Sequence, residues 1–116
     1  MKARAVIARA LAELPGELAE LVGARVRIVV RAHPTPADRG LGIGADWRGA
    51  FVGVQYEGDA AACGGAVFLY TDHIRSEAEL EEVLLHELDH FVGADEDDVE
   101  ADGMGEHLGL AEAQPL

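Results

Sequence analysis

The stretch SEAELEEVLLHELDHFVG, residues 76–93, decides how this chain folds. Ser76 followed three residues later by Glu79 is a capping box, a hydroxyl for an unpaired N–H at a helix start and a carboxylate to reach back. Leu80, Val83, Leu84, Leu88 and Phe91 then recur at i, i+3, i+4 spacing, which builds one apolar stripe on a helix. Glu77, Glu79, Glu81 and Glu82 crowd the first turns, where the helix dipole favours negative charge. Gly93 suits the left-handed residue that closes a helix. The pattern predicts a long amphipathic helix facing the core.

The same helix carries a candidate site. His86 and His90 are four residues apart, about 6 Å along the axis on one face. Two imidazoles so placed can share one ion at roughly 2.0–2.1 Å each. Glu87 is rotated by about 100° from His86, beside such an ion without being forced to bind it. A carboxylate there can take a proton from a metal-activated water and pass it to a leaving amine, which is the chemical content of the H-E-x-x-H pattern. A chain of this composition meets that pattern by chance roughly 2% of the time. Gly93 and Glu96 occupy two further positions of the longer H-E-x-x-H-x-x-G-x-x-H arrangement, Glu96 where the third ligand stands. Zinc accepts carboxylate oxygen, and a catalytic site uses three protein ligands with one open position. The expected ligands are therefore His86, His90 and Glu96, with Glu87 as the catalytic base. Asp95 and Asp97 could replace Glu96 after a one-residue shift, and Glu100 or Glu106 could serve from a following helix.

Upstream, residues 3–13 place Ala5, Val6, Ala8, Ala10, Leu11 and Leu14 at near-helical spacing, and Pro15-Gly16 breaks the helix. The basic-then-apolar opening imitates a signal peptide, but Arg9 and Glu13 interrupt it and it reads as an amphipathic helix. A short second helix is expected over 16–22, stopped by Gly23. Residues 25–31, RVRIVVR, alternate as a half-buried strand with Val26, Ile28 and Val30 inward. HPTPADRGLGIG reads as irregular loop. AFVGVQYEG (50–58) and AVFLY (66–70) read as two further strands. Short helices are expected near 96–102 and 106–113.

The 116 residues suit one domain, residues 1–116, with a modest core. The single cysteine, Cys63, excludes an intrachain disulfide and Cys-based zinc sites, and makes a reducing, cytoplasmic setting the expectation. The net charge is −13, unevenly spread: all nine Lys and Arg lie at or before Arg75, and residues 76–116 hold 14 acids with no Lys or Arg. Such a half-molecule repels phosphate backbones and attracts cations, so no nucleic-acid partner is expected. No run is long enough to span a membrane. The preference for Arg over Lys, with abundant Ala and Gly, hints at a bacterial source.

HELDHFVGADEDDVE, with ALAELPGEL, VRIVV, FVGVQYEG and AVFLY before it, resembles the small bacterial zincin-like metallopeptidases, minimal zincins of about this length. Only the first of these segments is a specific motif. The resemblance implies an α+β fold with an N-terminal helix, a three- or four-stranded mixed sheet packed on the HExxH helix, and a short C-terminal helix. It also implies Zn²⁺ on His86, His90 and an acid near Glu96, with Glu87 as base. Asp89 departs from the family, which has a small residue before the second histidine. The expected function is zinc-dependent hydrolysis of a peptide or protein substrate of unstated identity, the substrate extended along residues 51–56 or 66–70. The alternative is a non-catalytic zinc-binding interaction module. Oligomeric state is not legible. Tyr56, Tyr70, His73 and His107 are candidate hydrogen-bond donors to a reacting carbonyl, with a structural role the simpler expectation for each. Met104 reads as a packing residue.

Overall fold

A computed structural model of the chain describes residues 2–93. The predicted central helix is present as Glu77–Phe91, here α4, with Leu80, Val83, Leu84, Leu88 and Phe91 buried. Ser76 accepts a hydrogen bond from the Glu79 N–H at 3.1 Å. The reciprocal half of the box differs from expectation, because the Glu79 carboxylate accepts from the Arg75 N–H instead. Gly93 has φ +79°, the left-handed stop that the sequence predicts.

Two helices precede the sheet, α1 (Ala3–Ala12) and α2 (Gly16–Arg25). The buried face of α1 is Val6, Ile7 and Ala10, while Ala5 and Ala8 are exposed, so the inward stripe is rotated from the predicted one. Gly23 does not end α2, which continues to Arg25 and gives way directly to an extended Val26. A helical glycine costs about 1 kcal/mol against alanine, and the neighbouring turns tolerate it.

Among the described residues the sheet has three strands, β1 (Val26–Arg31), β2 (Gly49–Val54) and β3 (Gly64–Tyr70), in the order β1-β3-β2. β1 runs parallel to β3, with Ile28 opposite Val67, and β2 runs antiparallel to it, with Phe51 opposite Val67. The architecture is α+β with a mixed three-stranded sheet. β2 stops at Val54, short of the predicted Gly58. The Tyr56 N–H turns away to the Phe91 carbonyl at 2.7 Å, which ties the strand end to the end of α4.

Both sheet faces carry packed side chains, as the period of two requires. Val67, Leu69 and Phe51 face α1 and α4 in the larger core, with Val26 and Ile28 at its margin. Ala50, Ala66, Phe68 and Tyr70 face the other way and pack with Ile43 and Trp47. The segment covering that second face is not wholly irregular. It contains a five-residue helix, α3 (Pro36–Gly40), capped reciprocally by Thr35 and Asp38 with proline at its start. Asp38 is 2% exposed. Its carboxylate accepts from the Tyr70 hydroxyl at 3.0 Å and pairs with Arg31 at 3.1 Å. Burial pushes the Asp38 carboxyl up, but the Thr35 and Tyr70 hydrogen bonds and Arg31 together hold it below its ordinary value.

Two predictions follow from this packing. A Cβ at Gly65 would collide with the Val52 carbonyl oxygen and lie 2.8 Å from the Gly53 Cα. Gly65→Ala should therefore lower unfolding free energy by about 1–3 kcal/mol in urea denaturation; an unchanged midpoint would mean that the strands part freely. Asp38→Asn should cost about 2 kcal/mol near neutral pH, the penalty of a broken buried network. A depressed carboxyl contributes stability above its unfolded value and loses it as pH falls. The deficit should hence shrink below the ordinary value of 3.8, which denaturation across that range measures.

Candidate metal centre

The apolar stripe of α4 leaves His86, Glu87 and His90 on turns that face β2 and the core, and all three are buried, at 1%, 0% and 3% exposure. The chain can approach closely here because residue 49 is glycine. A Cβ at Gly49 would lie 2.7 Å from Val83 Cγ1, 2.9 Å from the Phe68 carbonyl oxygen and 3.5 Å from Glu87 Cγ. The contact between α4 and β2 thus depends on a missing side chain.

The two imidazoles converge through their Nε2 atoms, 3.2 Å apart, with ring planes at 89°. Two nitrogens each at about 2.0–2.1 Å from a tetrahedral ion stand roughly 3.3 Å apart. The pair therefore fits a shared zinc without rearrangement of the helix. The same separation serves as an N–H···N hydrogen bond when one ring donates and the other accepts.

Glu87 is the second mark of a site. Both carboxylate oxygens are buried without a well-formed hydrogen-bond partner among the described residues. Burial pushes its pKa well above the ordinary value, and the nearby Phe51 backbone only partly opposes this. A buried carboxyl lacking partners costs several kcal/mol in its charged form. It is out of place in a core helix unless a cation or a reacting proton uses it.

The proposed third ligand, Glu96, and its alternatives Asp95, Asp97, Glu100 and Glu106 lie outside the described residues, as do Met104, His107 and both short C-terminal helices. Among the described residues, no group of three or more His, Cys, Asp or Glu could hold a metal ion. His86, His90 and Glu87 are brought together.

The other candidates stand elsewhere. Tyr70 donates to Asp38 on the sheet face opposite α4, so it does not reach the histidines. Tyr56 lines a groove with Leu18, Leu21 and Val92. His73 lines a polar hollow with Arg48 and Glu79, near the start of α4. Asp89 is half-buried. Cys63 is a free thiol whose Sγ donates to the Ala60 carbonyl at 3.4 Å. Sequence reasoning missed Gly49, whose only signal is a glycine opening a strand. A scan against protein-family models and a search of curated proteins return no match.

Glu87→Gln should stabilise the chelator-treated protein by about 1–3 kcal/mol near neutral pH, because it removes a buried charge without partners. A raised carboxyl contributes stability below its unfolded value and loses it as pH rises. The advantage of the variant should therefore grow above pH 4.5, the ordinary glutamate value. Parallel denaturation curves for the two proteins across that range would contradict the assignment.

Proposed function

We propose that the chain is a zinc-dependent peptide hydrolase with a minimal zincin-like fold. The observation that carries this reading is the meeting of His86 Nε2 and His90 Nε2 at 3.2 Å beside the buried Glu87. His86 and His90 would hold the ion, completed by Glu96 or one of the neighbouring acids. A bound zinc supplies Lewis acidity, which makes water nucleophilic near neutral pH and polarises a carbonyl. Glu87 takes the proton of the attacking water as its oxygen bonds to the scissile carbon. It holds that proton on its carboxylate and delivers it to the amine nitrogen as the C–N bond breaks. A raised pKa suits a group that must carry a proton between two steps.

Of the two expected docking strands, only one has a free edge among the described residues. Residues 66–70, one of the two expected docking strands, lie in β3, which has β1 on one side and β2 on the other, so that strand has no edge to offer. β2 is an edge strand. The Tyr70 N–H donates to the Arg48 carbonyl, and by antiparallel alternation Gly49, Phe51 and Gly53 turn their N–H and C=O outward. A peptide added to that edge would pass the Phe51 backbone beside Glu87.

The near-complete burial of all three groups favours a second reading, a zinc-stabilised module without turnover. The single Cys63 and the absence of any intrachain disulfide agree with a reducing compartment, and the cytoplasm is the proposed location. Among the described residues, no helix is long and apolar enough to cross a membrane.

Elemental analysis of the purified protein should find about one zinc per chain, lost in His86→Ala and His90→Ala. Glu87→Gln should keep zinc and lose at least about 100-fold in hydrolysis of a broad peptide library. Zinc retained without hydrolysis in the parent protein would select the module, and no zinc at all would sink both readings. Among Glu96→Ala, Asp95→Ala, Asp97→Ala, Glu100→Ala and Glu106→Ala, the one that loses zinc identifies the third ligand.

A further inference from the structure

The second sheet face is only half covered. The segment carrying α3 packs over Ala50, Phe68 and Tyr70, and beyond it the sheet surface falls away into a trough of about 620 Å³. Its floor is the small Ala66 and the backbone at Gly65, and Val52, Phe68 and Leu41 form apolar walls. Leu41 is 49% exposed, and Val54, two residues beyond Val52 on the same edge strand, is 60% exposed. Large apolar side chains left so open beside a concave surface mark an interaction site more often than scattered single exposures do.

The rim is basic. Arg25 and Arg27 line the trough, both are exposed, and neither takes part in an ion pair among the described residues. Arg31 projects from the same strand two alternations on and is already held by Asp38. A basic rim stands out on a chain of net charge −13. It selects a partner by electrostatic complementarity, since guanidinium forks pair with carboxylates in a bidentate manner. β1 is also an edge strand, and charged side chains on an edge can serve merely to prevent edge-to-edge pairing. That role explains the arginines but leaves the apolar trough between them and Leu41 without a use.

We propose that this trough binds an extended acidic segment of a partner protein, an apolar side chain seated over Gly65 and Ala66 and flanking carboxylates paired with Arg25 and Arg27. The surface lies on the sheet face away from α4, so it is independent of the candidate metal centre. Hydrolytic activity and segment binding can fail separately.

The test is a titration of the full ¹⁵N-labelled chain with the peptide acetyl-Glu-Asp-Leu-Phe-Asp-Glu-amide at low salt, followed by amide shifts. Saturable shifts should centre on Val52, Gly65, Ala66 and Phe68 and weaken as salt rises. Affinity should fall at least about tenfold in the Arg25→Glu/Arg27→Glu double variant, the loss expected when favourable charge pairs become repulsive. It should fall several-fold in Leu41→Ser, whose exposed position leaves the fold intact. A peptide with lysines in place of the acids should not bind. Absence of shifts at millimolar peptide, shifts centred on the first turns of α2 (residues 16–21) or on α4, or unchanged affinity in both variants would each overturn the proposal. So would a double variant that aggregates while still binding the peptide, the behaviour of arginines that only guard an edge. Retention on phosphatidylglycerol vesicles without peptide shifts would reassign the surface to lipid and also overturn it.

Discussion

Everything around the candidate site rests on the close approach of α4 to β2. Gly49 has no side chain at the point where Val83 and Glu87 come down on the strand. The Tyr56–Phe91 hydrogen bond fixes the other end of the same contact. Between these two points, one helix turn holds His86, Glu87 and His90 out of water. Helical spacing brings the two rings together, and packing keeps them buried. Such a helix has a conflict to resolve, because a carboxyl without partners is expensive in a core. Leu80, Val83, Leu84, Leu88 and Phe91 are all buried on it. At about 1.5–3 kcal/mol each, they outweigh the several kcal/mol that one poorly solvated carboxylate costs.

The sheet is held from behind by a different kind of force. Tyr70 is fully buried, and its hydroxyl is satisfied only because Asp38 reaches it from α3. Asp38 is in turn held by Thr35 and Arg31. This network fastens the covering segment to the C-terminal ends of β1 and β3, the two parallel strands. The strand that carries the Phe51 backbone to Glu87 pairs with β3, so the polar network on one face steadies the site on the other. The network's own carboxylate is well satisfied, whereas Glu87 is not. Two buried acids in one small protein thus have opposite pKa shifts, and only the unsatisfied one sits beside paired histidines.

Much of this was legible because it is local. The cap at Ser76, the apolar stripe of α4 and the stop at Gly93 all depend on residues within a turn or two of one another, and the structure contains all three. The pairing of His86 with His90 is equally a matter of helical spacing. What depends on distant contacts was not readable. That AVFLY forms the central strand follows from pairing on both sides across long stretches of chain, although its unbroken apolar run already suits a strand buried on both faces. The burial of Glu87 depends on a glycine 38 positions earlier in the sequence. A different failure occurred at Thr35-Pro36-Ala37-Asp38. These residues spell a capped helix start with proline at its first position, yet the surrounding prolines and glycines masked it. Gly23 misled in the opposite sense, since it is an ordinary helical residue with Ala24 and Arg25 still in the helix after it.

The charge pattern along the chain becomes a spatial one through the sheet order. β1, with Arg25 just before it and Arg27 and Arg31 within it, lies at the edge farthest from β2. The acids of α4 lie on the other side of the sheet, above the strand that faces the candidate metal centre. A diffusing cation therefore meets a negative field on the helical side, where two imidazoles and a carboxylate await it. The opposite face, bordered by Arg25 and Arg27, has the complementary sign. One small sheet, by keeping its basic strand and its acidic helix on opposite sides, can support two electrostatically distinct surfaces without a second domain.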